Sequence, residues 1–587
     1  MPARANTTLN RLVHGAVIAA IAALVAMLLV LAAVPPVDRD ALTHHLAVPK
    51  LYLKYGGIHE IPHVPFSYYP MNLDLLYLIP LYFGNDILPK YIHFTFALLT
   101  TGLIFSYLRR KLDSLFYAML GGLLFLSLPV IIKLSVTVYV DLGLIFFSTA
   151  SLLQLLRWSE TNFRLRYLVL AGIFAGLCLG TKPNGMLAVF LLALTVPFLY
   201  RRAVAGRAGQ PQGVSFRDNS GRRGFQSLGW VVLFSVVAVV VFSPWMIRNY
   251  AWTGNPVFPL AQNIFGPTMP TISDPDTAGG EAVIGNEREE SNPKGDSGFG
   301  HFAVRKVIFD ESLLEILAIP VRIFIQGQDD NPRLFDGRLN PYLLIFPLVA
   351  VFAVKGRGRS PRVRLEIGVM GIFACLYLLF AFFLVDMRIR YIGPIIPPLA
   401  ILAVFGLHDL VRIIRSRFSS WGQSLGLSAV GAVLMVLMGL NAAYLVAQFR
   451  VIDPMSYLQR RLTREEYIQK YRPEYAAISF ANRHLPEEAR ILSLFNGNRI
   501  YYSERDMISG NEMFSQAVRA SQSPAELIRR LQQSGISYLL VRMDLFNQWA
   551  DRQFKPAEKS LLQSFFGEKL RRLYQGQGYA LFGMTDG

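Results

Sequence analysis

Repeated apolar runs constrain this chain more than any other feature of its sequence. Most are about 20 residues long, the length at which an α-helix crosses the hydrocarbon core of a bilayer. Eleven runs are found, at residues 14–34, 88–108, 114–132, 138–156, 167–181, 185–200, 229–247, 341–354, 367–385, 391–411 and 424–446. The chain is 53% hydrophobic and 17% charged, whereas a soluble domain is about 25% charged. We therefore predict a polytopic α-helical membrane protein with about eleven transmembrane helices.

The net charge of +18 is explained by the positions of the basic residues. Lysine and arginine cluster in six segments, namely residues 1–13, 109–113, 157–166, 201–228, 355–366 and 412–423. With eleven spans, all six segments fall on one side, which the positive-inside rule makes cytoplasmic. This distribution indicates orientation in a membrane and argues against a nucleic-acid partner. The N-terminus is then cytoplasmic and the C-terminal tail lies on the outer side.

Two parts of the chain differ in character. Residues 1–449 form the predicted membrane module, with outer loops at 35–87 and 248–340, and residues 450–587 form a soluble domain. In that domain, ARILSLFN, NRIYYS, ISYLLV and YALFGM are typical of strands, and TREEYIQKYRPEYAAISFANRHL and SPAELIRRLQQSG of helices. We predict an extracytoplasmic α/β domain that supports the module or recognises an acceptor, since it carries no phosphate loop or zinc motif of the usual spacing.

Polar and ionisable side chains gather at the outer edges of the predicted spans. These residues are Asp40, His44, Asp141, Lys182, Arg248, Asn249, Asp386, Arg388, Arg390 and Tyr391. Because an ionisable group is costly inside a bilayer, such groups usually line a cavity or a pathway. We predict that they converge on one outward-facing cavity.

Each of these residues also has a structural interpretation. Asp40 is a suitable cap for a helix over 41–55, and Asp141 could cap the fourth span in the same way. Arginines at a membrane edge can extend to lipid headgroups. His44 lies one turn from Asp40 and shares its face, where a structural hydrogen bond and a catalytic role both remain open. His45 points elsewhere and is predicted to be a surface residue.

The segment QGQDDNPRLFDGRLNP contains the weak candidates for a metal site. Asp329 and Asp330 fit a turn rich in Gly, Asn and Pro better than a divalent-ion site. No other cluster of metal-ligand residues is convincing, so the sequence predicts no metal or other cofactor with certainty.

Several motifs, taken in their order along the chain, resemble a known family. An acid follows the first span in DALTHHLAVPKLY, a second acid opens the fourth span, and SPWMIRNY, TGNPVFP and RYIGPIIPP come later. This order resembles the GT-C membrane glycosyltransferases, in the branch of the lipid A aminoarabinose transferase and the protein O-mannosyltransferases. The similarity covers about residues 10–450, and the motifs look like those of a bacterial subgroup of the inner membrane.

The resemblance implies transfer of one sugar from a polyprenyl-phosphate donor to a glycan, lipid or protein acceptor. Asp40 matches the family's first-loop catalytic acid, Asp141 its second acid, and Arg390–Tyr391 the element that faces the donor. Relatives that handle aminoarabinose carry a Lys-Pro in the first loop, where this chain has Tyr69 and Pro70. The donor phosphate is therefore expected to meet other residues, from among Lys182, Arg248, Arg388, Arg390, Tyr391 and Tyr69. His44, Asn249 and Asp386 are the expected acceptor-side or supporting residues.

The chemistry of such a transfer requires a base for the acceptor hydroxyl and cations for the departing phosphate. We predict a single inverting displacement with Asp40 as the base, assisted by Asp141. Partial desolvation at the membrane edge is expected to raise the pKa of Asp40 into a useful range. A transporter or lipid flippase is the alternative from another class, but such proteins often show internal repeats, and we see none. An outer-face polysaccharide polymerase or ligase is a further alternative.

Overall fold

The computed structural model of the chain describes residues 2–208, 220–266, 301–353, 359–384 and 387–584. The part up to residue 452 is a bundle of apolar helices. They are α1 (Pro2–Ala32), α4 (Leu88–Leu112), α5 (Leu115–Leu126), α6 (Pro129–Ser135), α7 (Asp141–Glu160), α8 (Leu165–Leu179), α9 (Gly185–Ala208), α10 (Ser220–Thr253), α11 (Tyr342–Phe352), α12 (Pro361–Leu384), α13 (Ile396–Arg417) and α14 (Ser420–Ile452), with α2 (Ala47–Lys54) and α3 (Asn72–Tyr82) between α1 and α4.

Each predicted span overlaps one helix of the bundle, except that over residues 114–132, which overlaps two. Eight helices in the described residues are long and apolar enough to cross a membrane, and the pair α5 and α6 passes the same test together. The two shorter apolar helices, α8 and α11, match the remaining two predicted spans. The predicted fold class is therefore confirmed as an apolar helical bundle, although one span differs from the prediction.

That span, predicted over residues 114–132, is bent by 68° between α5 and α6. Leu128 precedes Pro129 and is extended, with ψ 135°, because the proline ring disfavours a helical conformation in the residue before it. Pro129 then starts α6, where a missing N–H costs nothing. The bend turns Lys133 and the segment 136–140 toward the end of the bundle at which α7 begins.

Close helix packing surrounds α7 and α13, which are the most buried spans, at 78% and 83% of their apolar windows. Gly172 and Gly176 lie on the face of α8 that meets α10, and a Cβ at Gly176 would stand 2.5 Å from the carbonyl oxygen of Ala238. Such a pair of small residues lets two backbones approach each other in a membrane bundle. The central helices thus carry their first residues, including Asp141, to a fixed position at one end.

The predicted helix over 41–55 is interrupted. A short π-helix covers Ala41–His45, closed by a bond from the N–H of Leu46 to the carbonyl of Ala41, and α2 follows. Insertions of this kind in helices are frequent at functional sites. Asp40 makes no capping bond to this helix, so the capping interpretation of Asp40 is wrong.

The C-terminal domain begins with α15 (Arg464–Tyr471) and α16 (Glu474–His484), which interrupt at Pro473 what the sequence predicted as one helix. Its remaining elements are β1 (Arg490–Leu494), β2 (Asp506–Ser509), α17 (Asn511–Arg519), α18 (Pro524–Gln533), β3 (Tyr538–Arg542), α19 (Met543–Gln553), α20 (Pro556–Glu568), β4 (Leu570–Gly576) and β5 (Tyr579–Met584). The five strands have the order β2-β1-β3-β5-β4. β1 is parallel to β2 and β3, and β5 is antiparallel to β3 and β4.

The predicted strand NRIYYS is wrong. Residues 498–503 form a turn that leaves the sheet, and Ile500 packs against the hydrophobic cluster of the bundle. The N–H groups of Ile500 and Tyr501 both donate to the carbonyl of Leu42, at 3.2 and 3.1 Å. The apolar residues of this segment thus contact the first loop of the membrane module instead of a neighbouring strand. We call the end of the bundle that carries this domain the domain end.

Candidate active site

At the domain end, Asp40 forms an ion pair with Arg390. The Nη1 atom of Arg390 donates to a carboxylate oxygen of Asp40, and both side chains are more than four-fifths buried. Asp40 follows α1, whereas Arg390 lies in the 3₁₀-helix Ile389–Ile395 that leads into α13. The fold therefore joins two groups that are 350 residues apart in sequence.

A second acid–cation pair lies beside the first. Lys182 donates to Asp141 with an Nζ–Oδ1 distance of 2.8 Å, and the Asp141 side chain is 1% exposed. Asp141 is the first residue of α7 and Lys182 follows α8. The side chain of Asp141 makes no capping bond and is used for Lys182, so the capping interpretation is wrong here too.

Two tyrosines connect the pairs. The ring of Tyr391 lies 4.8 Å from Nζ of Lys182 and 5.1 Å from the guanidinium carbon of Arg390. Tyr139 covers Arg390 from another side, at 5.2 Å. Cations held over aromatic faces are stabilised while their remaining donors stay available. The sequence interpretation missed Tyr139, although its place two residues before Asp141 was a signal.

Two atoms of this cluster remain free for a substrate. Oδ2 of Asp141 and Nε of Arg390 are buried and have no hydrogen-bond partner among the described residues. Buried polar atoms in proteins are rarely left unsatisfied. The cluster can therefore donate one hydrogen bond to a bound molecule and accept another from it.

The ionic state of Asp40 differs from the sequence prediction. Burial raises the pKa of Asp40, but the Arg390 guanidinium and the nearby His44 and His45 outweigh burial and hold the pKa well below its usual value. The predicted rise in the pKa of Asp40 is therefore wrong for this state. An acid paired with arginine is a poor base until that arginine is drawn away.

The adjacent histidines have different surroundings. The ring of His44 stacks on Phe66 at 4.2 Å, and its Nδ1 lies 2.8 Å from Oγ1 of Thr43. Burial, and after it the neighbouring His45, lowers the pKa of His44 well below its usual value. His45 is buried and its Nδ1 lies 2.6 Å from Oδ1 of Asp74. The prediction that His45 is a surface residue is wrong, because its partner lies in α3 and could not be inferred from local spacing.

Arg248 and Asn249 fix the second half of the first loop. Arg248 lies over the rings of Trp245 and Trp252 and donates to the carbonyls of Tyr68 and Tyr69, at 2.7 and 3.1 Å. Asn249 donates to the carbonyls of Tyr68 and Phe258. These contacts give the two residues a structural function, while Nη1 of Arg248 has no partner within the described residues.

The remaining predicted residues lie at the margin of the cluster. The guanidinium carbon of Arg388 is 5.8 Å from the Tyr391 ring, and Asp386 lies outside the described residues. Asp329 accepts from Tyr444 at 2.6 Å and, with Asp330, flanks Lys133. In the described ranges, no group of three or more His, Cys, Asp or Glu residues is arranged to hold a metal ion.

Comparison with known proteins supports a family likeness. Residues 63–254 match the family model described as dolichyl-phosphate-mannose-protein mannosyltransferase. No curated protein sequence gives a significant match to the chain. The family model thus covers the second half of the first loop through α10, including Tyr69, Asp141, Lys182, Arg248 and Asn249.

The fold is similar to that of ArnT from Cupriavidus metallidurans. The structure of ArnT bound to undecaprenyl phosphate matches with a TM-score of 0.54 and 15% identity, over 97% of this chain and 98% of that chain. The apo structure of ArnT matches with the same TM-score and 13% identity, over 97% of each chain. The oligosaccharyltransferase of Archaeoglobus fulgidus matches with a TM-score of 0.44 and 13% identity, over 96% of this chain and 74% of that chain. The resemblance seen in the sequence is confirmed: the chain has a fold similar to that of ArnT, and its residues 63–254 match the mannosyltransferase family model.

Proposed function

We propose that this chain transfers a single sugar from a polyprenyl-phosphate donor to an acceptor hydroxyl at the domain end of the bundle. The observation that carries the proposal is the buried cluster of Asp40, Arg390, Lys182 and Asp141 around Tyr391. The ArnT structure of the same fold holds undecaprenyl phosphate. The basic segments at the opposite end make the domain end extracytoplasmic by the positive-inside rule, which in a bacterium is the periplasmic side.

The donor phosphate would bind to the two cations. Arg390 presents a planar set of donors that suits phosphate oxygens, and Lys182 adds a second charge. A phosphate that takes Arg390 also removes the partner that holds the pKa of Asp40 down. Donor binding would therefore convert Asp40 from the acceptor of an ion pair into a base.

The reaction is a displacement at the anomeric carbon of the sugar. The acceptor oxygen forms a bond to this carbon while the bond to the phosphate oxygen breaks, and the bonding electrons leave with the phosphate on its polyprenyl chain. The hydroxyl proton passes to Asp40. Because attack and departure occur on opposite faces, the anomeric configuration is inverted. Asp141 holds Lys182 in place against the phosphate, and its free Oδ2 accepts a hydrogen bond from the acceptor.

The donor class can be tested with the purified chain in sealed lipid vesicles. Mannose, glucose and aminoarabinose, each linked to undecaprenyl phosphate, are offered together with lipid A, glycan and peptide acceptors, and products are read by mass spectrometry. We expect one donor to lose its sugar and one acceptor class to gain the mass of a single sugar. Transfer from diphosphate-linked sugars alone, or movement of intact donor across the bilayer without transfer, would overturn the proposal.

A further inference from the structure

The segment that leads to Asp40 has little regular structure of its own. Residues 33–38 are not helical, and the π-helix Ala41–His45 follows Asp40 directly. Lys90 of α4 donates to the carbonyl of Val34 at 2.9 Å, which fixes the beginning of the segment to the bundle. The backbone before Asp40 must therefore be held by contacts from elsewhere.

Those contacts come from the C-terminal domain. The phenol of Tyr502 donates to the carbonyl of Pro36 at 2.7 Å, and Nε of Arg472 donates to the carbonyl of Val37. On the other side of Asp40, the carbonyl of Leu42 accepts the N–H groups of residues 500 and 501. Four donors of the C-terminal domain thus hold the carbonyls of Pro36, Val37 and Leu42. Asp40 lies in the chain between the second and the third of these carbonyls.

The donors are themselves fixed within the C-terminal domain. Arg499 forms an ion pair with Glu474 of α16, and both side chains are almost completely buried. Asn482 donates to the carbonyl of Tyr502 at 2.9 Å and accepts the N–H of Glu504 at 2.9 Å. The turn before Arg499 is tight, since Gly497 has φ 66°, a conformation that glycine adopts at low cost. The donors therefore form a stiff support for the first loop.

The same turn is tied to the bundle beside α4. Arg464 forms an ion pair with Asp86 at 2.5 Å, and the phenol of Tyr501 reaches the same carboxylate at 3.3 Å. Lys50 of α2 donates to the carbonyls of Tyr501 and Ser503, both at 2.9 Å. The C-terminal domain is thus anchored on both sides of the segment that carries Asp40. This anchoring constrains the position of Asp40 relative to Arg390.

We infer that Arg472 and Tyr502 are positioning residues, through which the C-terminal domain sets the place of Asp40 against Arg390 and the acceptor. The inference rests on the proposed function and adds to it a role for a domain that carries no catalytic motif. A displacement of about 1 Å of a catalytic group can reduce a rate by about 10²-fold. Loss of a support that does not touch substrate should then reduce kcat while leaving donor binding nearly unchanged.

The test compares Arg472→Gln and Tyr502→Phe with Tyr471→Phe. Tyr471 is a matched control, because its phenol also donates to backbone carbonyls, those of Val451 and Ile452 at the end of α14. We expect kcat to fall about tenfold in the first two variants, with the KM for the donor within about twofold of wild type. Arg472→Lys, which retains a donor for the carbonyl of Val37, should recover most of the rate.

Hydrogen exchange provides a readout that does not depend on activity. Amides of residues 36–46 should exchange several-fold faster in Arg472→Gln and Tyr502→Phe than in wild type and in Tyr471→Phe. Faster exchange with unchanged kcat, or a rise in donor KM with unchanged kcat, would overturn the positioning role while leaving sugar transfer intact. Wild-type protein that transfers no sugar would instead overturn the proposed function, whatever the exchange data show.

Discussion

Two buried ion-pair networks, one near each end of the helical bundle, satisfy their carboxylates differently. At the end opposite the C-terminal domain, Glu366 accepts from Lys111 at 2.6 Å with one oxygen and from Tyr107 at 2.5 Å with the other. The two oxygens of Glu160 are likewise used by Lys111 and Arg157. At the domain end, Asp141 uses one oxygen for Lys182 and leaves the other without a partner in the described part of the chain.

This difference separates a structural network from a reactive one. A buried network in which every carboxylate oxygen is used has nothing left for a substrate, and breaking it costs stability. In a cluster with a free acceptor and a free donor, two buried polar atoms lack hydrogen bonds, which destabilises the folded protein. A ligand that forms those hydrogen bonds removes this destabilisation. The elements differ as well. The helices α4, α7 and α12 supply the closed network, whereas the open cluster takes Asp40 from the start of the first-loop helix, Asp141 from the first residue of α7 and Lys182 from the non-helical segment after α8.

The largest effect is expected for Asp40→Asn. Loss of a general base reduces turnover about 10²- to 10⁴-fold. The variant should still bind undecaprenyl phosphate at least as tightly as wild type, because Arg390 no longer has a carboxylate partner. Turnover and binding are measured on the same preparation, with Asp453→Asn as the control, since Asp453 pairs with Lys470 away from the cluster. Turnover near that of wild type would remove Asp40 from the mechanism.

A smaller loss is expected for Asp141→Asn. The neutral side chain retains a hydrogen-bond acceptor for Lys182 but no longer holds it by charge, so Lys182 should move and the donor phosphate should be less well placed. We expect a reduction in kcat of about 10²-fold, measured in the same transfer assay. An unchanged kcat with a raised KM for the donor would instead assign Asp141 to substrate binding alone.

The pH dependence of turnover should change in Arg390→Gln. In wild type the pKa of Asp40 lies well below its usual value, so Asp40 stays deprotonated and activity persists in mild acid. Without Arg390, burial remains and raises the pKa, so the acidic limb of the kcat/KM profile should move to higher pH. Profiles of the residual activity measure this, and a limb that stays in place would show that Arg390 does not control Asp40.

The smallest effect on turnover is expected for Glu366→Gln at the opposite end. Removing one charge of the buried network should lower the thermal unfolding temperature of the purified protein. The fraction that remains folded should have the kcat and KM of wild type, because the network lies away from the cluster. A change in kcat without a change in stability would contradict the division between the two ends.

Much of the fold followed from the apolar runs, because an apolar segment that crosses lipid must satisfy its own backbone groups and so becomes a helix. The bend between α5 and α6 was not predicted, although Pro129 was visible, since a proline can start a helix as well as interrupt one. NRIYYS was misassigned because alternating apolar residues predict a buried face without saying what covers it. In this protein the first loop of the membrane module covers that apolar face.

The cluster was predictable only in part. Asp40, Asp141, Lys182 and Arg390 were identified because ionisable groups at span edges are costly unless they meet. Their pairing was not predictable, since Asp40 and Arg390 are brought together only by the full fold. The same ion pair lowers the pKa of Asp40, where the sequence predicted a rise. The pair of His45 and Asp74 was missed for the same reason.

The most direct test of the account is the affinity of the purified chain for undecaprenyl phosphate. We expect wild type to bind it, uncharged undecaprenol to compete poorly, and Arg390→Gln to bind at least tenfold more weakly, because a charge-assisted contact is worth about 1.5–3 kcal/mol. Lys111→Gln, at the opposite end, should bind like wild type. Equal affinity of Arg390→Gln and wild type, or equal binding of the phosphate and the alcohol, would contradict a phosphate site at the domain end.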